Sequence, residues 1–266
     1  MPLYPTVPGD YPTVDGVGNR VSLTDSDGNE TDWTFNSLNL PVTESNALGT
    51  TTTTYDADSG VTSIEDADGR VRDFVYNNDR QLTAENWMSG GTIVETMAYI
   101  YDLDGELTSA RDPNSAYTFI YDGDGNVLST DNAGTPNVPD VLLTNGYDLM
   151  RDRTSQSATI AGTADYLNSY SYNGDRQLTG VSQQDQNGGN LVSPKELDYD
   201  YNALGQFTDV WAYNTLGGPR EDVYRGASTY DGDNRLTGLA YTSNAGTSRI
   251  DDFGWTYNAG SLVTSF

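Results

Sequence analysis

The chain of 266 residues has no cysteine and no histidine. Disulfides, thiol nucleophiles, thiolate or imidazole metal sites, and Ser-His-Asp or Cys-His catalysis are therefore excluded. Cations are scarce as well. Lys and Arg total 13 against 39 Asp and Glu, for a net charge of −26, and Lys195 is the one lysine. Such a surface repels nucleic acid and anionic lipid, so neither is expected as a partner. No apolar run approaches the ~18 residues of a membrane span. Met1 is followed by Pro2, Leu3 and Tyr4, so no signal peptide is visible in this chain. Leu, Ile, Val and Phe are few, 50 of 266 residues, and with this charge that composition alone would indicate disorder.

Tyrosine argues the other way. The chain holds 19 Tyr and 4 Trp, and aromatic residues order twisted sheets by pairing across strands. Their placement is regular. The phrase appears as Tyr76-Asn-Asn-Asp-Arg-Gln-Leu-Thr83, as Tyr101-Asp-Leu-Asp-Gly-Glu-Leu-Thr108 and as Tyr172-Asn-Gly-Asp-Arg-Gln-Leu-Thr179. Further copies begin at Tyr121, Tyr201, Tyr230 and Tyr257, and weaker ones at Phe35, Tyr55 and Tyr147. Gly18 to Ser22 resembles the back half of another copy. The ten anchor aromatics lie 20 to 29 residues apart. That period predicts one supersecondary unit per repeat, with loops taking up the slack.

Each unit reads as a β-hairpin. Alternating stretches such as Tyr99-Ile-Tyr101 precede the turn, and period two marks a strand with one packed face. Two to four Asp, Asn and Gly residues are expected to form the turn. Gly105 and Gly125 would supply positive φ, and Asp104 and Asp124 would close Asx turns. A Leu or Val and a Thr or Ser then begin the return strand. Ala158 to Tyr166 comes nearest to a helical stretch, but its Thr and Gly content speaks against one. The inward residues should be the anchor and the apolar residue after the turn, a thin core shared between neighbours. The Tyr hydroxyls need partners, which Thr, Asn and Asp can supply. The expected fold class is all-β: tandem hairpins forming one array over residues 1–266, a continuous twisted or spiralling sheet.

The phrase Tyr-Asp-x-x-Gly-x-Leu-Thr at this period resembles the YD repeat of the Rhs family. That resemblance covers almost the whole chain. It implies a β-sheet ribbon spiralling into a hollow shell, as in bacterial Rhs and Tc toxins, teneurins and wall-associated repeat proteins. It also implies a self-cleaving Asp-Pro-x-Gly segment after the shell. The Asp-Pro here, Asp112-Pro113, is followed by Asn114 and Ser115 and lies mid-array. At Arg151-Asp-Arg153 the chain departs from the family's Gly-Asn-Arg turn. Both chain ends fall in phase with the repeat, without caps. This predicts end-to-end stacking of copies or continuation into a longer YD-repeat chain.

The sharpest candidate sites are the acidic turns Asp25/Asp27, Asp66/Asp68, Asp102/Asp104 and Asp122/Asp124. Asp-x-Asp gathers the carboxylate oxygens that Ca²⁺ prefers. The EF-hand order is absent, however, because glycine stands fourth and no closing Glu follows. Turn-building is the competing reading, and calcium is the one cofactor considered. The pairs Asp251-Asp252, Glu65-Asp66 and Asp198/Asp200 are expected by chance in so acidic a chain, and no enzyme activity is expected. Tyr170, Tyr172, Tyr199, Tyr201, Tyr213, Trp211 and Trp255 form rows that could stack on sugar rings or pack across strands. Asn29-Glu-Thr31 matches a glycosylation sequon. The leading expectation is a non-enzymatic structural protein of a bacterial extracellular filament, sheath or cell-surface shell. The alternative is part of an Rhs-type shell that encloses a toxin or binds surface carbohydrate.

Overall fold

The computed structural model describes residues 11–216, 222–243 and 247–265. These form strands and turns and no helix. The chain divides into two compact units, one ending at Ala116 and one beginning at Tyr117.

The first unit holds β1 (Tyr11–Val14), β2 (Arg20–Thr24), β3 (Glu30–Phe35), β4 (Pro41–Asn46), β5 (Gly49–Tyr55), β6 (Val61–Glu65), β7 (Val71–Tyr76), β8 (Leu82–Ser89), β9 (Thr92–Tyr101) and β10 (Leu107–Arg111). Each pairs antiparallel with the next. The strands from the unit boundary onward are β11 (Ala116–Tyr121), β12 (Val127–Asp131), β13 (Val141–Tyr147), β14 (Arg153–Ile160), β15 (Thr163–Tyr172), β16 (Leu178–Asp185), β17 (Lys195–Tyr201), β18 (Phe207–Tyr213), β19 (Asp222–Tyr230), β20 (Leu236–Ser243) and β21 (Ser248–Gly254). They form the same antiparallel meander. A short hairpin of β22 (Thr256–Tyr257) and β23 (Val263–Ser265) follows.

All ten anchors are the last residue of their strand, and all are half-buried. Consecutive antiparallel pairing puts the anchor turns of a unit along one edge of its sheet. The opposite edge carries other connections. At Gly90-Gly91 both residues have positive φ (56° and 79°), as do Ala161 (48°) and Gly162 (77°). Two such residues between strands make the primed turn that matches strand twist. The Ala158 to Tyr166 stretch is therefore a hairpin, not a helix.

The register explains the phrase. Each anchor faces the residue six positions later, as in Tyr101 with Leu107 and Tyr172 with Leu178. The next pair inward skips one residue of the return strand: Ile100 faces Ser109, and Ser171 faces Gly180. The skipped residues, Thr108 and Thr179, are β-bulges. A threonine there keeps its hydroxyl near the opposing strand. Thr83 Oγ1 donates to the Val75 carbonyl at 3.1 Å, and Thr108 Oγ1 to the Ile100 carbonyl at 3.1 Å.

Burial is shallow, as a thin shared core predicts. The buried hydrophobic residues among those described are Ala158 and Ala212, exposed by 1% and 7%. Among the described residues, no side chain has a buried polar atom without a partner.

Candidate functional site: the aspartate turn

The residue after each anchor, Asp or Asn, organises a loop of five residues that closes itself. In the loop Asp102–Glu106, the Asp102 N–H donates to the Glu106 carbonyl at 3.0 Å. The Gly105 N–H donates back to the Asp102 carbonyl at 3.3 Å. Asp102 Oδ1 then accepts from the N–H groups of Asp104 (3.0 Å) and Glu106 (2.9 Å). The loop is longer than the two to four residues expected from sequence. Its Asx acceptors are also not those expected: they are Asp102 and Asp122, not Asp104 and Asp124. Only the first acid sits where its short side chain can reach amides two and four residues ahead.

The same hydrogen bonds recur after all ten anchors, at Asn36, Asp56, Asn77, Asp102, Asp122, Asp148, Asn173, Asn202, Asp231 and Asn258. They recur three more times, at Asp15, Asp25 and Asp66. The Asp15 copy is the back-half phrase seen near Gly18. Asp25 and Asp66 close turns on the opposite edge, which anchor spacing alone did not reveal.

The fourth residue of every such loop has positive φ. It is glycine at Gly18 (97°), Gly28 (85°), Gly69 (75°), Gly105 (87°), Gly125 (81°) and Gly205 (77°). Elsewhere it is Asn, Ser or Arg, including Arg80 (64°), Arg151 (65°) and Arg176 (62°). The left-handed region costs a non-glycine residue about 1–2 kcal/mol, so these arginines need a compensating contact.

Anchor hydroxyls supply the next layer of order, and their partners differ from expectation. Seven of them donate to main-chain carbonyls of the preceding return strand, not to Thr, Asn or Asp side chains. Tyr55 reaches Pro41 (2.7 Å) and Tyr101 reaches Leu82 (3.0 Å). Tyr147 reaches Val127 (3.0 Å), Tyr172 Arg153 (2.9 Å) and Tyr201 Leu178 (2.8 Å). Tyr230 reaches Phe207 (3.0 Å) and Tyr257 Leu236 (2.7 Å). Each accepting carbonyl belongs to the first residue of a return strand. The bulge next to it loosens the ladder there, which leaves a carbonyl within reach of the ring.

Among the calcium candidates, the first acid of three of the four pairs already holds a side-chain donor on its second oxygen. Asn29 Nδ2 donates to Asp25 Oδ2 at 2.8 Å, Arg70 Nε to Asp66 Oδ2 at 2.7 Å, and Asn126 Nδ2 to Asp122 Oδ2 at 2.9 Å. These bonds hold the carboxyls below their ordinary range. The Asn29 side chain acts first on Asp25, the Arg70 backbone amide on Asp66, and the Asn126 side chain on Asp122.

The second acids are engaged in two ways. Asp27 meets Asp25 through its main chain: its N–H donates to Asp25 Oδ1 at 2.9 Å, and the residue is exposed. Asp104 stands in the same relation to Asp102. An amide spent on the neighbouring carboxylate builds the turn, where a shared cation would need two carboxylates facing it. Asp68 pairs with Arg70 (2.9 Å) and Asp124 with Arg151 (2.8 Å). Among the described residues, no three acidic groups converge to hold a metal ion.

The remaining candidates have structural surroundings. Asp198 and Asp200 alternate on β17, facing Trp211 and Asp209 of the next strand. Asp251 Oδ1 accepts from the Asp252 N–H at 2.9 Å. In the aromatic rows, the Tyr201 and Phe207 rings are 4.6 Å apart, Arg153 lies over Tyr170 at 4.9 Å and Arg225 over Trp211 at 4.7 Å. Asn29 of the sequon is engaged with Asp25.

No family model and no curated protein matches the chain. Solved structures do. A Photorhabdus luminescens Tc holotoxin pore with a TccC3 mutation is 12% identical at a TM-score of 0.49, over 96% of this chain and 17% of that one. A TcdB2-TccC3 crystal structure is 13% identical at 0.44, over 95% and 17%. A porin-like protein from Bacteroides uniformis is 10% identical at 0.35, over 76% and 92%. The chain spans about a sixth of the length of the Tc toxin chains. No helix among the described residues is long and apolar enough to cross a membrane, which says nothing of a β-barrel. In its repeat phrase the chain resembles the Rhs/YD-repeat family, and its described residues form all-β antiparallel sheet.

Proposed function

We propose that the chain is a non-enzymatic structural element: a stretch of wall in a bacterial extracellular filament, sheath or surface shell, built by stacking hairpins. One observation carries this reading, the thirteenfold recurrence of a self-closed turn whose polar groups are spent on holding the chain itself. Asp, Asn, Thr and Tyr, which elsewhere would bind a ligand, here satisfy main-chain donors and acceptors. Ordered stacking follows from the backbone ladders, and the high negative charge keeps walls from adhering sideways. Its partners are then further YD-type repeats, from a longer chain or from other copies.

A second observation favours a curved wall over a straight one. A bulge follows every anchor, always on the return strand, and a bulge bends and twists its strand locally, which supports curvature along the anchor edge. This supports the shell form, in which the wall encloses a polypeptide. Glycan binding by the aromatic rows and calcium binding at the acidic turns are secondary proposals within the same frame.

Sedimentation velocity over a hundredfold concentration range tests the assembly. Large, concentration-dependent species are expected. A single compact monomer at every concentration would overturn the reading.

A further inference from the structure

Neighbouring anchor turns on the shared edge are tied to one another by side chains, and the ties take two forms. In the first, an arginine at the fourth loop position reaches back to the preceding turn. Arg80 Nη2 donates to the Asp58 carbonyl at 3.0 Å, and Arg151 Nη2 to Asp124 Oδ1 at 2.8 Å. Arg176 grips Asp152 through Nη2 (2.6 Å) and Nε (3.0 Å). In the second form the fourth position is Gly, Asn or Ser, and the fifth residue of the preceding loop reaches forward to it. Gln81 Nε2 donates to the Gly105 carbonyl at 3.2 Å, and Gln206 Nε2 to the Asn234 carbonyl at 3.1 Å. Arg235 Nη1 donates to Ser261 Oγ at 3.4 Å.

The forward tie also depends on the first loop residue. In three of the five Asn-led loops the fifth residue is glutamine, and the Asn Nδ2 donates to its Oε1: Asn77 to Gln81 (2.7 Å), Asn173 to Gln177 (2.7 Å) and Asn202 to Gln206 (2.8 Å). The other two, led by Asn36 and Asn258, carry Leu40 and Leu262 there. The Asn–Gln bond turns the glutamine Nε2 outward, toward the next turn. Where the first residue is Asp, the fifth position often holds a donor, such as Asn126 or Arg235, that answers the carboxylate.

We infer that the fourth and fifth loop residues form an interlocking latch by which one repeat recognises the next, so that the partner fitting this edge is another turn of the same type. An arginine in the left-handed region is kept because it holds the turn before it, and Asn–Gln pairs are kept because they aim a donor at the turn after. This goes beyond the wall reading and stands apart from it. A monomeric chain would leave the latch intact, and an inert latch would leave the wall standing.

The test is a set of thermal melts on the full chain at low salt. Arg176→Gly removes both the strained backbone and the grip on Asp152. The latch predicts a lower Tm for it and for Asp152→Asn, a double variant no lower than either single one, and effects that shrink in about 1 M salt, where the Debye length is about 3 Å. A raised Tm for Arg176→Gly, or fully additive losses, would overturn the inference. The forward tie has its own arm. Asn202→Asp should force Gln206 to turn its Nε2 inward and lower the Tm. Adding Gln206→Arg, which copies the Asp231–Arg235 pair, should restore it. If Asn202→Asp is silent, or if the arginine fails to rescue, the forward latch does not exist.

Discussion

At the residue scale, the unusual feature is how few side chains are inside and how many polar ones are committed. The anchor tyrosine is half ring, half tether. Tyr101→Phe keeps the ring and removes the hydroxyl that reaches the Leu82 carbonyl. A net loss of about 0.5–1.5 kcal/mol is expected in denaturant unfolding, against a larger loss for Tyr101→Ala. The two glycines of the first described turn separate conformation from space. Neither Gly16 nor Gly18 has a neighbour where a Cβ would sit, but only Gly18 has positive φ (97°). Gly18→Ala should cost about 1 kcal/mol or more, and Gly16→Ala should be neutral or mildly stabilising. Equal effects would mean that the left-handed requirement is not what selects glycine there.

Titration belongs to this scale as well. The turn carboxyls Asp25, Asp66, Asp122 and Asp231 are lowered by hydrogen bonds that exist only in the folded turn, led at Asp231 by the Arg235 side chain. A folded pKa below the unfolded value of about 3.9 contributes stability that is present above that pH. The contribution is lost as the pH falls through the folded pKa. The chain should therefore hold its Tm from neutral pH down to about 4 and lose it steeply below. The Asn-led turns do not titrate, so Asp122→Asn should reduce the acid sensitivity. An acid melt unchanged by such a substitution would contradict this origin.

At the scale of the element, the phrase was legible in the sequence and its grammar was not. The anchors, the Gly105 and Gly125 turns and the return strands at Leu107 and Leu178 follow from period two and from turn chemistry. The loop length, the accepting acid and the bulge at Thr108 do not, because they are set by register, and register is a relation between strands. The tyrosine partners were missed for the same reason: a carbonyl freed by a bulge has no mark in sequence. Asp27 shows the limit from another side, since spacing places two acids together without saying whether they meet by carboxylate or by amide. The latch residues did have a mark. Asp-Arg-Gln recurs at Asp79-Arg80-Gln81 and Asp175-Arg176-Gln177, and arginine at a position that elsewhere is glycine signals a compensating contact. The drift at Arg151 has the same physical reason, its pairing with Asp124.

At the scale of the whole molecule, the net charge of −26 should oppose contact between copies at low ionic strength. Raising salt from about 10 mM to about 150 mM shortens the Debye length from about 30 Å to about 8 Å. Light scattering should then rise if walls associate, and should stay flat if the charge plays no part. The central claim is that hairpin stacking builds a wall, and negative-stain electron microscopy of the purified chain, with and without EDTA, tests it most directly. The account predicts regular filaments, sheets or curved wall segments, and their loss in EDTA would bring calcium into the acidic turns. A field of separate compact particles in both conditions would contradict it.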